Sequence, residues 1–259
     1  MQIARALQIQ LRIITALILR ETRATFGTSR FGYLWAIITP AAGIAVLVII
    51  FSAIGRPPPF GESFALFFAT GLFTLEMFRK LGSSLMTVFE ANKALLTYPP
   101  IREPDVLFAR AALIGVTYAL IMGIFFSGLI ATGLASFPAH PGELMAAFFA
   151  TFLLGFGFGA TNSIIISLWD SWRHVVKIIT RPLFIISAIF YVPSYLPPQF
   201  VAVLKWNPVL HAIEWMRNGY YSNYDSRVLD KSYILSLAVI LIFIGLFGER
   251  LTRKRRGRA

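Results

Sequence analysis

The sequence predicts an all-α membrane protein, and three features support this class. Apolar residues make up 57% of the chain and charged residues only 14%, where a soluble domain has about 25% charged residues. The apolar residues come in long runs without charge, which indicates that lipid surrounds them. Lysines and arginines cluster between these runs, as in loops that fix membrane topology. We predict one transmembrane domain over residues 1–259, with an N-terminal interfacial helix, six transmembrane helices, and short re-entrant helices between the fifth and sixth.

The first predicted element is an amphipathic helix over residues 1–30 that lies in the membrane interface. Arginines interrupt its apolar residues too early for a cleaved signal peptide. A bend is expected at residues 27–30, where the chain passes into the first span. The apolar stripe of this helix consists of Leu7, Leu11, Ile14 and Ile18, and its cationic face of Arg5, Arg12 and Arg23.

The predicted six-span bundle covers residues 31–250. The first span, residues 31–55, has 25 residues without a charge, whereas about 20 helical residues cross a bilayer core. The later spans are expected near residues 60–78, 111–136, 144–169, 182–192 and 233–248. The fifth is short and is followed by prolines. Residues 251–259 form a basic tail.

The distribution of cations predicts the orientation of these spans. With both termini in the cytoplasm, 19 lysines and arginines lie on the inner side and five on the outer side. The opposite orientation would place nearly all of them on the translocated side, against the usual bias. The same distribution explains the net charge of +12 without a nucleic-acid partner.

Residues 191–231 are too apolar for a solvated loop and too rich in proline for one spanning helix. Irregular backbone at membrane depth occurs where it lines a cavity or is buried in protein. We therefore predict short re-entrant helices at the outer mouth of a pathway. The alternative is a pair of interfacial helices that only cap the bundle.

Residues that form disulfides, metal sites or nucleotide-binding sites are either absent from the sequence or isolated within it. The chain has no cysteine, which excludes disulfides and thiolate metal sites. The three histidines lie in different predicted loops, without metal-ligand spacing, and no phosphate-binding P-loop motif is present. Gly155 and Gly159, four residues apart in an apolar span, predict a close helix–helix contact rather than a dinucleotide site. Apart from Glu62 at the start of the same span, Glu76 is the one acidic residue within a predicted span, which argues against an ion-driven carrier.

The loop between the second and third spans carries a further predicted element. Residues 86–96 can form one short amphipathic helix that Pro99 and Pro100 would end. A helix of mixed charge on the cytoplasmic side would suit docking of a soluble partner. The alternative is a solvated connector, although this segment is longer and more apolar than a connector needs to be.

Three sequence motifs occur in order along the chain. The first is Arg-Ala-Thr-Phe-Gly-Thr-Ser-Arg-Phe-Gly-Tyr-Leu-Trp-Ala over residues 23–36, followed by Pro40. The second combines Glu-Ala-Asn-Lys at 90–93, Tyr98, Pro100 and Asp105 with Ala-Arg-Ala at 109–111. The third is Trp-Asn-Pro-x-x-His-x-x-Glu at 206–214. Together these motifs resemble those of type-2 ABC exporter permeases for capsular polysaccharide and O-antigen. The likeness covers nearly the whole chain; the tail 253–258 is more basic than expected and predicts an added affinity for anionic lipid.

The resemblance implies a homodimer of permeases that works with two copies of a separate ATPase subunit. ATP and Mg would then be used by that partner, and this chain would hold no catalytic site, cofactor or metal. The resemblance also assigns roles to two groups of residues. The surface that meets the ATPase would include Arg20, Arg23, Arg30, Glu90, Asn92, Lys93, Tyr98 and Asp105. The outer gate would include Trp206, Asn207, Pro208, His211, Glu214 and Arg217, of which Glu214 and Arg217 are spaced to form an ion pair.

Sugar rings have apolar faces on which aromatic side chains can stack. The candidates for lining a glycan pathway are Tyr33, Trp35, Phe184, Phe190, Tyr191 and Tyr195. For each of them, lipid contact or a place in the interfacial aromatic belt is the alternative. Six spans are too few to enclose a wide channel, which favours a pathway along the symmetry axis of a dimer.

The sequence thus predicts a permease that moves polysaccharide, capsular or O-antigen, across the bacterial inner membrane. One alternative is a related exporter of another amphiphile, such as a glycolipid, a teichoic-acid-like polymer or a drug. The other is a membrane scaffold for glycan synthesis that transports nothing. A neighbouring gene for a nucleotide-binding subunit would favour transport over the scaffold.

Overall fold

The computed structural model describes residues 2–27, 31–98 and 101–256, and these ranges contain helices and turns but no β-strand. The all-helical class is therefore confirmed. The helices of the first half are α1 (Gln2–Phe26), α2 (Phe31–Ala53), α3 (Phe64–Leu85), α4 (Val88–Ala91) and α5 (Glu103–Ala131). Those of the second half are α6 (Pro141–Leu168), α7 (Trp172–Thr180), α8 (Leu183–Ile186), α9 (Pro198–Leu204), α10 (Pro208–Tyr220) and α11 (Lys231–Arg256).

Three helices within the described ranges are long and apolar enough to cross a membrane. They are α5, α6 and the Lys231–Thr252 part of α11, and α2 adds a shorter apolar stretch, Ile37–Ala53. α5 begins eight residues earlier than the predicted third span because Asp105 accepts a hydrogen bond from the Arg102 backbone N–H at 2.8 Å, which satisfies a free donor at the helix start. The described part of the basic tail continues α11 as a helix to residue 256.

Helix α3 forms the centre of the bundle. Residues 66–75 are buried on every face, as in a helix that is apolar all round. The predicted second span ends near residue 78, whereas helix α3 continues to Leu85. Met77, Leu81 and Leu85 follow one another at four-residue spacing and pack into a buried cluster, so Glu76 lies well inside the helix.

Glycines allow α6 to approach α3 closely. A Cβ atom at Gly155 would lie 2.9 Å from Cβ of Leu81, and one at Gly159 would lie 2.7 Å from Cβ of Leu85. Such distances leave no room for a side chain. The predicted close helix–helix contact at Gly155 and Gly159 is therefore confirmed. Gly157 plays the same part towards α11 on another face of α6.

The α1 helix lies against the first half of α5 rather than apart from the bundle. Leu17 is buried, and Ile13 and Ile18 are partly buried in the same apolar cluster as Val106 of α5. The end of the bundle where α1 contacts the start of α5 is called the α1 end. The opposite end, where α9 and the start of α11 lie, is called the α9 end.

The predicted fifth span is not one helix. α7 and α8 are separated near Pro182, and α8 ends at Ile186. Residues 187–192, called the 187–192 segment, are not helical, and a 3-10 turn follows at Pro193–Tyr195. Ala188 in this segment has a φ of 65°, a left-handed conformation that strains a residue with a Cβ atom.

The predicted single helix over residues 86–96 is also wrong. The chain forms α4 and then a 3-10 turn at Leu95–Thr97. The break lies at Asn92, whose side-chain amide donates to the carbonyl of Val88 at 3.0 Å. The Asn92 carbonyl accepts from the N–H groups of Leu95 and Leu96, so the chain turns there. Pro99 and Pro100, the predicted helix end, lie outside the described residues.

Candidate functional site

Buried polar contacts attach α1 to α5 and to the loop that follows α3. Arg20 Nη1 donates to Asn92 Oδ1 at 2.6 Å. Glu21 is buried and accepts from the guanidinium of Arg110 on α5, with a shortest distance of 2.7 Å. Gln10 donates to the carboxylate of Asp105. Residues 88–97, which include α4 and the 3-10 turn after it, are called the α4 region. These contacts join α1, the start of α5 and the α4 region into one surface at the α1 end.

Helix α7 joins this surface through Arg173, which pairs with Glu90 of α4 and, at 2.8 Å, with Asp170. The hydrogen bond to Glu90 is the main reason that the pKa of Arg173 lies above its usual value. Arg173 therefore remains a cation at any physiological pH. The pair connects two segments that are 83 residues apart in sequence.

The predicted ATPase-contacting residues divide by exposure. Arg20, Arg23, Glu90, Lys93 and Tyr98 are exposed, whereas Asn92 and Asp105 are buried. Asn92 and Asp105 hold the exposed residues in place, since one anchors Arg20 and the other caps α5. Arg30 lies outside the described residues.

The charged turn of α3 lies between two cavities. One, of about 360 Å³, is lined by Glu76, Arg79 and Lys80 together with Lys177 of α7. The other, of about 480 Å³, shares Glu76 and Lys80 with the first and extends to Trp35. Cations outnumber carboxylates on the first cavity, so it favours an anionic ligand.

The predicted pathway aromatics fall into two groups. Phe190 stacks on Phe51 of α2, with ring centroids 5.9 Å apart and planes 6° apart, and Phe184 meets Phe190 edge-on at 5.1 Å. Tyr191 is half-buried beside this cluster, whereas Trp35 and Tyr195 are exposed. Nothing is described of the Tyr33 side chain. The structure thus brings Phe184, Phe190 and Tyr191 together and leaves Trp35 and Tyr195 apart.

Arg217 of α10 lies fully buried beside this aromatic cluster. Its Nη1 donates to the carbonyl of Tyr191 at 3.2 Å and its Nη2 to the carbonyl of Ile189 at 3.3 Å. The guanidinium also lies 3.8 Å from the ring centroid of Phe67 on α3, at the distance of a cation–π contact. One cation therefore connects α3, α10 and the 187–192 segment.

Glu214 is the buried counter-ion of Arg217, at 3.6 Å, as their spacing predicted. Its two oxygens accept from the hydroxyls of Tyr224 and Ser226, each at 2.6 Å. Burial is the main reason that the pKa of the Tyr224 phenol is raised, so this phenol keeps its proton and donates a hydrogen bond to Glu214. The pair lies inside the protein, where an ion pair needs further hydrogen bonds to be tolerated.

The remaining predicted gate residues begin α10. Asn207 caps this helix through the Val209 N–H at 3.0 Å, and its side chain donates to Ser187 at 2.9 Å. Pro208 occupies the first turn, which suits a residue without an N–H. Trp206 is 70% exposed, so it contacts the surroundings rather than the core.

His211 is held through both ring nitrogens. Its Nε2 lies 2.7 Å from the carbonyl of Lys205, and the backbone N–H of Asp230 donates to Nδ1 at 3.0 Å. A backbone N–H can only donate, so Nδ1 is the acceptor and Nε2 carries the hydrogen. The ring therefore connects α10 to the residue that precedes α11.

Several partners of these residues escaped the sequence analysis. Arg110, Arg173, Tyr224 and Ser226 are far in sequence from the groups they contact, or give no periodic signal. Glu214 and Arg217 are charged residues inside an apolar stretch, and this position was a signal that they are buried. It gave no signal for the contacts of Arg217 with two backbone carbonyls.

Three long apolar helices, among described ranges that are all helices and turns, define an all-helical membrane protein. The profile of the ABC-2 type transporter family matches residues 12–221, so the chain belongs to this family.

Curated relatives are similar over nearly their whole length. The polysialic acid transport protein KpsM of Escherichia coli is 28% identical over 239 residues, 92% of this chain and 93% of that protein. The capsule polysaccharide export inner-membrane protein CtrC of Neisseria meningitidis is 25% identical over 243 residues, with 93% and 91% coverage. BexB of Haemophilus influenzae, with the same description, is 23% identical over 241 residues, again 93% and 91%.

Proposed function

We propose that this chain is the membrane permease of an ATP-driven exporter that moves capsular polysaccharide across the bacterial inner membrane. The observation that carries the proposal is similarity over more than nine-tenths of the chain to proteins described as exporting capsule polysaccharide or transporting polysialic acid. The O-antigen export permease RfbA of Klebsiella pneumoniae, 20% identical over 229 residues with 86% and 88% coverage, makes O-antigen the closest alternative cargo.

In this proposal the chain is one domain with six crossings, and α8 and the 187–192 segment together form the fifth, after α7 on the cytoplasmic side. The α1 end faces the cytoplasm and both termini lie there, in keeping with the 19 to five distribution of cations. α1 lies at the membrane interface, α9 and α10 are re-entrant at the outer side, and the basic end of α11 contacts anionic lipid.

The α1 end is the proposed docking surface for the ATPase subunit, which would bind ATP and Mg. Arg20, Glu90, Lys93 and Tyr98 are exposed there on segments that polar contacts hold together. A force applied to α4 would reach α1 through Asn92 and α7 through Arg173. Such contacts allow nucleotide-driven movement of a partner to reach the membrane helices.

The pathway would run between two copies of this chain. The cavity lined by Lys80 and Lys177 would receive the acidic groups of a glycan, and Phe184 and Phe190 would contact sugar faces towards the α9 end. Two permeases and two ATPase subunits give the two-fold symmetry that such a pathway requires.

Gene deletion in the native host tests this function. Loss of the permease should abolish surface polysaccharide and leave polymer inside the cell, and a plasmid copy should restore the surface signal. Surface polymer and its intracellular pool are measured with a glycan-specific antibody on intact and on lysed cells. Unchanged capsule with loss of O-antigen would assign the other cargo, and no change in either would refute glycan export.

A further inference from the structure

The guanidinium of Arg217 is placed to hold non-helical backbone in position. Its two terminal nitrogens donate to the carbonyls of Tyr191 and Ile189, on either side of Phe190. Helix α8 has ended at Ile186, so these carbonyls do not belong to a helical ladder. At membrane depth such groups need a partner within the protein, and Arg217 provides one for both.

The hydrogen bonding of Arg217 in this arrangement is incomplete. Nε of Arg217 is buried without a hydrogen-bond partner in the described part of the chain, and the nearest distance to Glu214 is 3.6 Å. Ala188 keeps a left-handed φ of 65°, which is strained for a residue with a side chain. Release of the clamp would let the segment relax this strain, and rearrangement of a short segment is one of the known kinds of switching transition.

The same segment carries Phe190, whose ring packs against aromatic rings of α2 and α3. Phe190 lies between the two clamped carbonyls, stacks on Phe51 and meets Phe68 edge-on at 6.1 Å. A movement of the backbone at Ile189 and Tyr191 would therefore change the contacts of Phe190 with Phe51 and Phe68. Gly71 of α3 faces this backbone and the clamp, since a Cβ there would lie 3.4 Å from Cα of Ile189 and 3.3 Å from Nη2 of Arg217.

We propose that the 187–192 segment is the moving part of the outer gate and that Arg217 is the positioning residue that holds it closed. Glu214 lies on the same helix and is held by Tyr224 and Ser226. Its carboxylate offsets the buried charge of Arg217. The inference rests on the proposed export function for the purpose of the gate, but the clamp itself can be tested without transport.

Cysteine labelling tests the clamp, because the chain has no cysteine of its own. Val192→Cys reports on the segment from a site that is 5% exposed, and Val203→Cys, at a site that is 72% exposed, is the matched control on α9. A membrane-impermeant maleimide is added from the outside. Adding Arg217→Gln should raise the labelling rate at position 192 by about tenfold, the change expected for loss of one charge-assisted hydrogen bond.

The rate at position 203 should stay the same with and without Arg217→Gln. Equal rates at position 192 in the two backgrounds would overturn the clamp. Arg217→Lys should give an intermediate rate, because an ammonium group cannot reproduce the two-armed geometry of a guanidinium.

A reversible cross-link tests the movement in a chain that keeps Arg217, so a folding defect of the Arg217 variants does not decide the matter. Gly71→Cys and Ile189→Cys place two thiols near bonding distance, since a Cβ at Gly71 would lie 3.6 Å from Cγ1 of Ile189. Export by the reduced and the oxidised forms of this one double variant is compared. Oxidation should abolish export and reduction should restore it.

Unchanged export after complete cross-linking would show that the segment does not move. Failure of the unmodified chain to export polysaccharide would instead refute the proposed function. The labelling rates at position 192 would then still decide whether Arg217 clamps the segment.

Discussion

The carboxylate of Glu21 accepts hydrogen bonds from Arg110 at 2.7 and 3.0 Å from Nη2 and at 3.1 Å from Nε. The two residues are 89 positions apart. Glu21 is nearly buried and Arg110 is mostly so, with side-chain exposures of 6% and 19%. Removal of Glu21 would leave the guanidinium of Arg110 without its carboxylate in a poorly solvated place, whereas Glu21 also has Arg20 at 3.8 Å.

Glu21→Ala should lower the free energy of unfolding by about 1.5–3 kcal/mol, the range for a hydrogen-bonded charged group. Thermal unfolding of the purified protein in detergent measures the change. Arg12→Ala, which removes an exposed charge from the same helix, is the control and should have little effect. The exchange Glu21→Arg with Arg110→Glu should recover part of the loss; no recovery would contradict a specific pair.

Arg20→Ala together with Arg23→Ala should weaken coupling to the ATPase, and most of the effect should come from Arg20. Of the two arginines, Arg20 is the one with a described contact to the α4 region, through Asn92 at 2.6 Å. Loss of the Arg20 side chain would free that region to move. Co-purification of the ATPase subunit should fall by about tenfold. Unchanged recruitment and export in the double variant would remove the coupling role.

Charge reversal at Glu90 and Arg173 tests the connection between α4 and α7. Glu90→Arg or Arg173→Glu alone should reduce export, whereas the two together should restore much of it. Because Glu90 is 56% exposed, stability should change by less than about 1 kcal/mol. ATP hydrolysis and export are measured in the same membranes. A double variant that is as impaired as the single variants would contradict this connection between α4 and α7.

Gly159→Ala should destabilise the protein, since the new Cβ would lie 2.7 Å from Cβ of Leu85. Overpacking of this kind costs about 1–3 kcal/mol. Gly123→Ala is the matched control, because nothing lies within 4 Å of a Cβ there, and it should be neutral or slightly stabilising. The two melting temperatures are compared; equal values would contradict the close packing of α3 and α6.

Lys177→Gln should reduce export of an acidic glycan, since Lys177 is one of the cations on the cavity beside α3. Lys205→Gln removes the same charge at the α9 end, where Lys205 is exposed, and should export normally. The rate of appearance of surface polymer measures both. Equal export by the two variants would show that this cavity does not receive the acidic groups.

The spans of the bundle follow from hydrophobic length, and the sequence predicted them well where one long apolar run makes one helix. α6 begins three residues before its predicted start and ends one residue before its predicted end. α3 and the α4 region were predicted less well, because their ends depend on contacts. Leu81 and Leu85 find apolar partners that extend α3, and the side chain of Asn92 ends α4 early.

Of the candidate site, the spacing of Glu214 and Arg217 predicted their pairing, and the prolines predicted short helices over residues 191–231, but not the break within the fifth span. The carbonyls of Ile189 and Tyr191 as partners of Arg217 could not be predicted. Hydrogen bonds between groups 26 or more residues apart leave no trace in local periodicity.

The sequence by itself determined that this chain is helical and membrane-embedded, because apolar runs of that length satisfy their backbone only as helices in lipid. It also determined the family, through motifs spread along the chain. Only the tertiary structure decided which charges meet. Arg217 holds the break after α8, and Arg110 holds α1, because folding brings distant groups within hydrogen-bonding distance that no local pattern encodes.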